Sequence, residues 1–289
     1  MSLSVIIPTL NAEKDLPELL AMLEAQTALP DEVIVIDSES EDQTAAVARA
    51  AGAKVLSVAR KDFDHGRTRD RALQESIGDT VVFLTQDAVP SNRSFLENLI
   101  RPLSEEKVAV VTGRQLPKPD AYPMEKLVRT FNYPSESHIR SEKDVDRMGI
   151  KAFFCSDVCA AYNRKIYLEL GGFDYPLKTN EDMFFAAKAI RGGYRVAYAA
   201  DAQVYHSHNF TLREQYERNR IQGYEIERHR TILGEVSQES EGMKLVKYVS
   251  SGLLRQGQIM AVFRFGLDCC ARLLGSRAGR KQAIREAHS

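Results

Sequence analysis

Side chains that could bind a metal or a phosphate follow apolar runs of the sequence. Asp87 stands in TQDAVP (85–90), directly after the apolar run TVVFL. His206 and His208 stand two residues apart in VYHSHNF (204–210), a spacing that places both on one side of a strand. An acid at the end of a strand can be a simple turn former, or it can bind a metal or phosphate, because open α/β sheets bind ligands at that edge.

Two neighbouring carboxylates could act as acid or base. Glu181 and Asp182 follow Asn180 in NED, at the start of a predicted helix. A transferase that acts on a hydroxyl group needs one carboxylate to take the proton. The same acids would also be stabilised by the helix dipole, with Asn180 as a cap, so the residues alone leave both roles open.

The elements that position these residues alternate along the first 115 residues. The predicted strands span 4–10, 31–40, 54–59, 79–90 and 108–115. The predicted helices span 11–27 (with Asn11 as N-cap), 41–52, 65–78 and 91–103. Such alternation favours a mostly parallel, doubly wound sheet, and the strands are apolar on both faces, as a covered sheet requires.

Polar residues then collect on the carboxyl side of the strands. Thr9, Asp37, Asp87 and the segment 64–67 all occupy such positions, where a nucleotide is expected. A dinucleotide-binding dehydrogenase would need G-x-G-x-x-G after the first strand. The corresponding turn, PTLNAEKDL, contains no glycine, which argues against that class.

Composition and charge set the broad class of the protein. The 289 residues are 44% hydrophobic and 27% charged, typical of a soluble globular chain, and the net charge of −1 argues against a nucleic-acid partner. From Lys244 onward, nine Lys/Arg and two Asp/Glu give +7, which leaves −8 for the first 243 residues. A basic tail on an acidic body indicates an anionic partner for the tail, such as a phospholipid surface.

Cysteines and the chain start predict the compartment. The four cysteines form no C-x-x-C pair, so a zinc ribbon or thioredoxin-like site is not expected. MSLSVIIPTL lacks the basic and long apolar regions of a signal peptide, and no run of about 18 apolar residues occurs. We therefore expect a cytoplasmic protein, with the inner face of the cell membrane as the place for any peripheral attachment.

Several motifs occur in a specific order. VIIPTLNAEKDLPELLAMLEAQT, DEVIVIDSESEDQT, an acidic strand end and GGFD…NED together resemble the family-2 inverting glycosyltransferases of GT-A fold. FDHGRTRDRA with FLTQDAVP is similar to the bacterial rhamnosyltransferases of that family, which build cell-surface polysaccharides from dTDP-L-rhamnose. The resemblance covers about residues 3–210. It implies an α/β GT-A fold, with a Rossmann-like doubly wound mixed sheet and a C-terminal helical extension.

The resemblance also implies a division of the chain and a donor site. Residues 1–210 would form the catalytic domain, with nucleotide-sugar binding in about 1–115, the acceptor and base part in about 116–210, and the extension in 211–289. The donor-binding residues would be Pro8, Thr9, Asn11, Asp37, Asp64, His65, Gly66, Arg67, Arg69 and Gln86.

Some of these donor residues have a stated chemical reason. Asp37 would accept the N3–H of uracil or thymine, and Gly66 would permit close backbone approach at an anion-favouring helix start. Arg67 and Arg69 would neutralise the diphosphate. The residues alone equally allow Asp64 to cap a helix with both arginines in water.

Asp87 occupies the place of the family's D-x-D motif, whose acids hold Mg²⁺ or Mn²⁺ against the diphosphate. Here the first acid is replaced by Gln86, or by Thr85 if the motif is T-x-D. One carboxylate implies a weaker site or another ligand. His206 and His208 are the candidates for that ligand.

The resemblance makes Asp182 the general base and Glu181 an orienting residue. Gly172, Asp174 and Asp157 would lie on the acceptor side. One in-line displacement would convert a β-linked nucleotide donor into an α-linked rhamnoside, with no covalent intermediate. The acceptor would be a glycan, including one linked to a polyprenyl diphosphate.

The last eighty residues are predicted to be mainly helical, with a loop at 237–244. Arg264, Asp268 and Arg272 share one face of a helix. The opposite side is apolar and contains Ile259, Met260, Val262, Phe263, Leu267, Cys270 and Leu274. This helix could be a monotopic membrane anchor, or it could pack on the domain or in a homodimer interface.

Two other functions compete with rhamnosyl transfer. A UDP-hexose could be the donor of an otherwise similar enzyme. The incomplete D-x-D motif slightly favours a non-catalytic nucleotide-sugar-binding subunit, whereas the intact NED motif argues against it.

Overall fold

The computed structural model describes residues 2–234 and 239–288 and confirms a mixed α/β architecture. The strands are β1 (Leu3–Thr9), β2 (Glu32–Asp37), β3 (Lys54–Ser57), β4 (Thr80–Leu84), β5 (Val89–Pro90), β6 (Val108–Leu116), β7 (His138–Arg140), β8 (Cys159–Asn163) and β9 (Arg195–Tyr205). The helices of the first two hundred residues are α1 (Leu16–Glu24), α2 (Thr44–Ala50), α3 (His65–Gln74), α4 (Phe95–Ile100), α5 (Pro123–Asn132), α6 (Val145–Met148), α7 (Arg164–Glu169) and α8 (Glu181–Arg191). The later helices are α9 (Leu212–Arg228), α10 (Arg230–Leu233), α11 (Glu239–Arg255) and α12 (Ile259–Ala287).

The strands form one sheet in the order β3-β2-β1-β4-β8-β6-β9-β5, with β7 paired to β9. The half formed by β3, β2, β1 and β4 is parallel, as predicted. Strand β8 then lies antiparallel to both β4 and β6, and β6 and β9 are again parallel. The sheet is therefore mixed rather than mostly parallel.

Alternate residues of each central strand enter two different cores. On β1, Ile6 packs in one core and Val5 and Ile7 in the other. Because successive side chains of a strand point to opposite faces, this alternation shows that both faces of the sheet are covered. The prediction of apolar, doubly covered strands is confirmed.

Several predicted boundaries differ from the structure, and two of the corrections concern the site edge. Helix α1 begins at Leu16 rather than Asn11, because Asn11 adopts a left-handed conformation (φ 51°). The predicted strand 79–90 is interrupted after β4 by a turn, in which the Ala88 amide donates to the Thr85 carbonyl at 3.1 Å. This turn presents Asp87 at the carboxyl edge of the sheet, and the chain then continues into β5.

The structure also contradicts the predicted loop at 237–244 for the residues that it describes, 239–244. Positions 237 and 238 lie outside the described residues, and α11 begins at Glu239. The Ser/Glu-rich composition suggested a loop, but the apolar residues that follow give the segment a helical face. Val249 and Leu253 of α11 pack against Phe265 of α12.

Helix α12 approaches α9 at backbone contact. Gly275 and Gly279 stand four residues apart on α12, where small residues permit close approach of two helices. A Cβ added at Gly279 would lie 1.8 Å from the Arg220 carbonyl oxygen. From the other side, a Cβ at Gly223 would lie 2.4 Å from the Ser276 carbonyl oxygen.

Helix α12 buries Asp268 and exposes much of its apolar side. Asp268 is 1% exposed, and its carboxylate accepts from Nε of Arg272 at 2.5 Å. Phe263, by contrast, is 68% exposed. We call the exposed set the apolar stripe; it consists of Ile259, Met260, Phe263, Leu267 and Leu274. No helix in the described residues is long and apolar enough to cross a membrane.

Candidate active site

The ends of β1 and β2 form the first part of the site. The Asp37 carboxylate, 6% exposed, accepts from the Thr9 hydroxyl at 3.1 Å and from the Ser40 amide at 3.0 Å. Asn11 ties this edge to the following loop, since its Oδ1 accepts from the Glu41 amide at 2.9 Å. The three polar residues predicted for the nucleotide therefore lie together. Pro8, which was also predicted to contact the nucleotide, precedes Thr9 in β1.

Gln86 connects β1 to the turn after β4. Its Oε1 accepts from the Leu10 amide at 2.8 Å, and its Nε2 donates to the Leu10 carbonyl at 3.2 Å. Both hydrogen-bonding groups of the side-chain amide are thus engaged with one residue. A carboxylate at this position could accept the first bond but could not donate the second.

Asp87 lies beside His206 and His208, the two residues that the family resemblance implied as its additional ligands. Nε2 of His206 lies 3.5 Å and Nε2 of His208 lies 3.3 Å from the Asp87 carboxylate, and the two Nε2 atoms are 3.1 Å apart. One possible ligand atom from each of these three residues lies within 4.8 Å of the other two, a geometry that could hold a metal ion. Lys118, which the sequence did not indicate, places Nζ 3.7 Å from Asp87.

A second layer fixes the orientation of His206. Its Nδ1 lies 3.0 Å from Oε1 of Gln115, an oxygen that can only accept, so the proton belongs on Nδ1 and the Nε2 lone pair faces Asp87. Arg129 also donates to that oxygen. Burial lowers the pKa of His206 to about 3. The charge of Asp87 raises this pKa, whereas Arg129, His208 and Lys118 lower it further. A neutral, oriented imidazole of this kind is the form that ligates metals.

The segment 64–67 connects α3 to the loop before α8. Asp64 caps α3, since Oδ1 accepts from the Arg67 amide at 2.9 Å, and its Oδ2 accepts from the Leu177 amide at 2.8 Å. A Cβ on Gly66 would lie 3.1 Å from the Asp174 carbonyl oxygen, so this glycine permits the loop to approach. Arg67 is exposed, with its guanidinium 5.1 Å from the centre of the Tyr175 ring.

The predicted acceptor-side residues in this loop have structural partners. Gly172 has a φ of 68°, and a Cβ there would lie 2.8 Å from Oδ1 of Asp70. The Asp174 carboxylate forms an ion pair with Nζ of Lys188 at 2.8 Å and remains about half exposed. Asp174 is thus the member of this loop whose carboxylate faces solvent.

Arg69 does not lie where a diphosphate could reach it in this structure. The residue is 4% exposed, Nη1 pairs with Oε1 of Glu181 at 2.7 Å, and Nε lies 3.5 Å from Oδ2 of Asp157. Its predicted role as a donor-binding residue therefore receives no support from the geometry. His65 stands beside it, 3.4 Å from the guanidinium, and burial lowers the pKa of that imidazole.

Two carboxylates, Glu181 and Asp157, pair with this buried arginine, and a third, Asp182, lies beside them. Asp182 accepts from the backbone amides of Asp157 at 3.0 Å and Met183 at 2.7 Å. Burial, followed by the charges of Glu181 and Asp157, holds the pKa of Asp182 well above its usual range. Burial also raises the pKa of Asp157 to about 7. Asn180, the alternative cap, makes no side-chain capping bond, so the acids of NED are not simply part of a capped helix start.

The acidic cluster and the metal-binding group adjoin each other. Gln115, which bonds His206, also donates through Nε2 to Ser156 Oγ at 2.9 Å. Ser156 precedes Asp157, whose amide bonds Asp182. An activated hydroxyl at Asp182 and a leaving group held at Asp87 can therefore belong to one site. Gln115 and Lys118 were missed because no local pattern distinguishes them in VTGRQLPKPD.

The sequence of this chain is similar to those of known proteins. Residues 4–171 match the family model Glycosyl transferase family 2. The chain is 43% identical to the O-antigen chain rhamnosyltransferase RfbN of Salmonella typhimurium over 75% of this chain and 70% of that protein. It is 41% identical to the O-antigen chain rhamnosyltransferase WbaN of Salmonella anatum, over 75% and 70%.

Solved structures share the fold at lower sequence identity. The mannosyltransferase PcManGT from Pyrobaculum calidifontis, in complex with GDP-Man and Mn²⁺, aligns with a TM-score of 0.65 and 17% identity over 98% of this chain and 87% of that one. Residues 1–349 of TarS from S. aureus, with UDP-GlcNAc, align with a TM-score of 0.56 and 20% identity over 98% and 92%. The fold is that of GT-A glycosyltransferases, and the chain belongs to glycosyl transferase family 2.

Proposed function

We propose that this glycosyltransferase moves L-rhamnose from dTDP-β-L-rhamnose to a glycan of a growing cell-surface polysaccharide, with inversion at the anomeric carbon. The observation that carries the proposal is the 43% identity to an O-antigen chain rhamnosyltransferase over 75% of this chain. The polyprenyl-diphosphate-linked form of such a glycan is the proposed acceptor. The arrangement of the candidate site supports this chemistry.

The donor would lie across the ends of β1, β2 and β4. Asp37, Thr9 and Asn11 form one polar group for the nucleotide base, and three hydrogen-bond donors from Thr9 and Ser40 fix the Asp37 carboxylate. The diphosphate would then pass toward Asp87, beside the exposed Arg67. Arg69 takes a positioning role in this proposal, because its guanidinium holds Glu181 rather than facing the edge.

The residues at Asp87 fit a divalent cation. One carboxylate oxygen and two imidazole nitrogens suit Mn²⁺, and the bond from His206 to Gln115 gives the tautomer that ligation requires. A bound Mn²⁺ or Mg²⁺ would offset the charge that builds on the departing diphosphate. Lys118 would add a further positive charge on the same side.

Asp182 is the proposed general base. Its carboxylate takes the proton of the acceptor hydroxyl while that oxygen forms its bond to C1 of the sugar. The bond between C1 and the diphosphate oxygen breaks in the same step, and its electron pair leaves with dTDP. A carboxylate with a raised pKa is a stronger base than an ordinary Asp, which suits removal of a hydroxyl proton.

Thermal unfolding with nucleotide sugars tests the donor and the metal together. A ligand that binds only the native state adds about 2.7 kcal/mol to the unfolding free energy at a hundredfold excess over its Kd. We expect dTDP-rhamnose with Mn²⁺ to raise Tm by more than dTDP-rhamnose alone, and UDP-glucose to raise it less.

The other outcomes separate the alternatives. A larger shift with UDP-glucose would replace rhamnose by a UDP-hexose as the donor. A Tm shift with dTDP-rhamnose that does not depend on Mn²⁺ or Mg²⁺ would support the proposed donor and contradict the proposed metal site. Binding of dTDP-rhamnose without any release of dTDP in the presence of acceptor would favour the non-catalytic binding subunit.

The apolar stripe of α12 supports attachment to a membrane surface. Five large apolar side chains are exposed along it, within a segment of net charge +7. An isologous homodimer would place this segment against its own copy and bring like charges together, whereas an anionic lipid surface complements them. We therefore propose that α12 lies in the headgroup region, beside the lipid-linked acceptor.

A double variant, Phe263→Glu with Leu267→Glu, tests this attachment. We expect its binding to phosphatidylglycerol vesicles to weaken at least ~10-fold, because two exposed side chains lose apolar burial in the lipid. Ile77→Glu, at another exposed apolar residue far along the chain, is the control and should bind as the wild type does. Unchanged vesicle binding by the double variant, or a dimer that only this variant loses, would contradict the proposal.

A further inference from the structure

A cavity of about 230 Å³ lies between α5, α9 and α12. None of the residues predicted to bind the donor, the acceptor or the metal lines it. Each of the three helices contributes one arginine to its wall: Arg129, Arg218 and Arg272. Amide side chains, including Asn219 and Asn132, line the same space. The cavity is therefore rich in hydrogen-bond donors.

The arginines outnumber their carboxylate partners. Nε of Arg129 pairs with Glu125 at 2.7 Å, and Nε of Arg272 pairs with Asp268 at 2.5 Å. Arg218 has no carboxylate within ion-pair distance among residues 2–234 and 239–288, and its guanidinium lies 4.4 Å from the centre of the Phe210 ring. Partial burial and the charges of Arg129 and Arg272 lower the pKa of Arg218, consistent with an excess of positive charge in the cavity.

The cavity adjoins the metal-binding group. Phe210 lines it, and the Phe210 ring lies 5.1 Å from the His208 ring. Arg129 lines it as well, and its guanidinium bonds the Gln115 oxygen that orients His206. On its other side, the cavity is bounded by α12, whose outer face carries the apolar stripe. An anion bound here would thus sit between the catalytic edge and the proposed lipid-facing helix.

We propose that this cavity is an anion site that takes a diphosphate group, with Arg218 as its principal ligand. A planar guanidinium fork and neighbouring amides match phosphoryl oxygens, and the unbalanced charge supplies attraction that a neutral sugar would not use. The inference rests on the proposed function for the two sources of that group. One source is the diphosphate of a prenyl-linked acceptor, and the other is the diphosphate of the nucleotide donor, which would then extend past Asp87 into the adjoining cavity.

Calorimetry that compares ligand binding by the wild type and by the Arg218→Ala variant distinguishes these two sources. The ligands are dTDP and geranyl diphosphate, with thymidine and geraniol as uncharged counterparts, all in the presence of Mn²⁺. We expect Arg218→Ala to weaken one of the two diphosphates about 10- to 100-fold, the loss typical of a hydrogen-bonded charged partner. Loss for dTDP assigns the cavity to the donor, and loss for geranyl diphosphate assigns it to the acceptor.

Arg213→Ala is the matched control, because Arg213 is exposed on the same helix and does not line the cavity. It should bind both diphosphates as the wild type does. The inference is overturned if Arg218→Ala, shown by its Tm to be folded, binds both diphosphates with unchanged affinity. Because binding is measured without transfer, that result would leave the proposed rhamnosyl transfer intact, and an inactive enzyme would not affect the measurement.

Discussion

Replacing Asp182 by Asn is expected to lower kcat for rhamnosyl transfer by about 10²- to 10⁴-fold, the usual contribution of a general base. The amide has nearly the same shape but cannot take the acceptor proton. Release of dTDP from dTDP-rhamnose in the presence of acceptor measures the rate. Calorimetric binding of the donor should stay close to the wild-type value, because Asp182 is placed at the acceptor hydroxyl rather than at the nucleotide.

Stability and a matched variant make this result interpretable. Burial and the neighbouring charges disfavour the ionised form of Asp182, so Asn removes an unfavourable charge, but its NH2 group cannot accept one of the two backbone N–H bonds; we therefore expect only a small fall in Tm. Asp146→Asn, at an exposed position of α6, repeats the chemical change away from the site and should keep full activity. Retained transfer by Asp182→Asn would assign the base to another residue.

The pH profile of kcat/KM examines the same role from the other direction. The base works only when deprotonated, so activity should fall as the pH is lowered through its pKa. That fall should lie above the ~3.9 of an unperturbed Asp, because burial and the charges of Glu181 and Asp157 raise the pKa. Asp157→Asn removes one like charge and should move the fall to lower pH. An acid limb at the ordinary carboxylate value would contradict this account.

Gly279→Leu is expected to separate α12 from α9 and to lower the free energy of unfolding by more than the ~1–3 kcal/mol of ordinary overpacking. Even a Cβ at Gly279 would lie 1.8 Å from the Arg220 carbonyl oxygen, and a backbone atom has no alternative rotamer. Urea denaturation measures the loss, and limited proteolysis should cut the variant within α12 first.

The same substitution elsewhere on the helix is the control. Gly266 has no atom within 4 Å of an added Cβ, so Gly266→Leu should be neutral or slightly stabilising, since Gly is a poor helix former. If both variants unfolded alike, side-chain contacts rather than backbone approach would hold the helix pair together.

The sequence predicted the structural elements that depend mainly on residues close together in the chain. The parallel half of the sheet followed from apolar runs alternating with helical periodicity, and the pairing of His206 with His208 followed from their spacing. The insertion of β8 between β4 and β6 could not be predicted, because strand order depends on contacts between segments far apart in the chain. The start of α1 was misplaced because Asn11 is a good cap in isolation but bonds the loop after β2 here.

Arg69 shows why the site was only partly predictable. In HGRTRDRA the arginines alternate with polar residues, and the pattern does not distinguish a buried side chain from a solvated one. Only the fold brings Glu181 within 2.7 Å of Arg69, across 112 residues of sequence. The motif indicated the candidate active-site region, whereas the partners of each charged side chain could be identified only from the three-dimensional arrangement.

The double hydrogen bond between Gln86 and Leu10 bears on the order in which ligands arrive. The Gln86 side chain bridges two strand ends at the position where the family resemblance implies the first acid of D-x-D. Asp87 then faces Lys118 with little negative charge left to retain a cation by itself. On the proposed function the donor's diphosphate would supply the remaining negative charge, so we expect metal and nucleotide sugar to bind cooperatively, each raising the affinity of the other by the same factor. In the thermal unfolding measurement, Mn²⁺ without nucleotide should accordingly leave Tm almost unchanged.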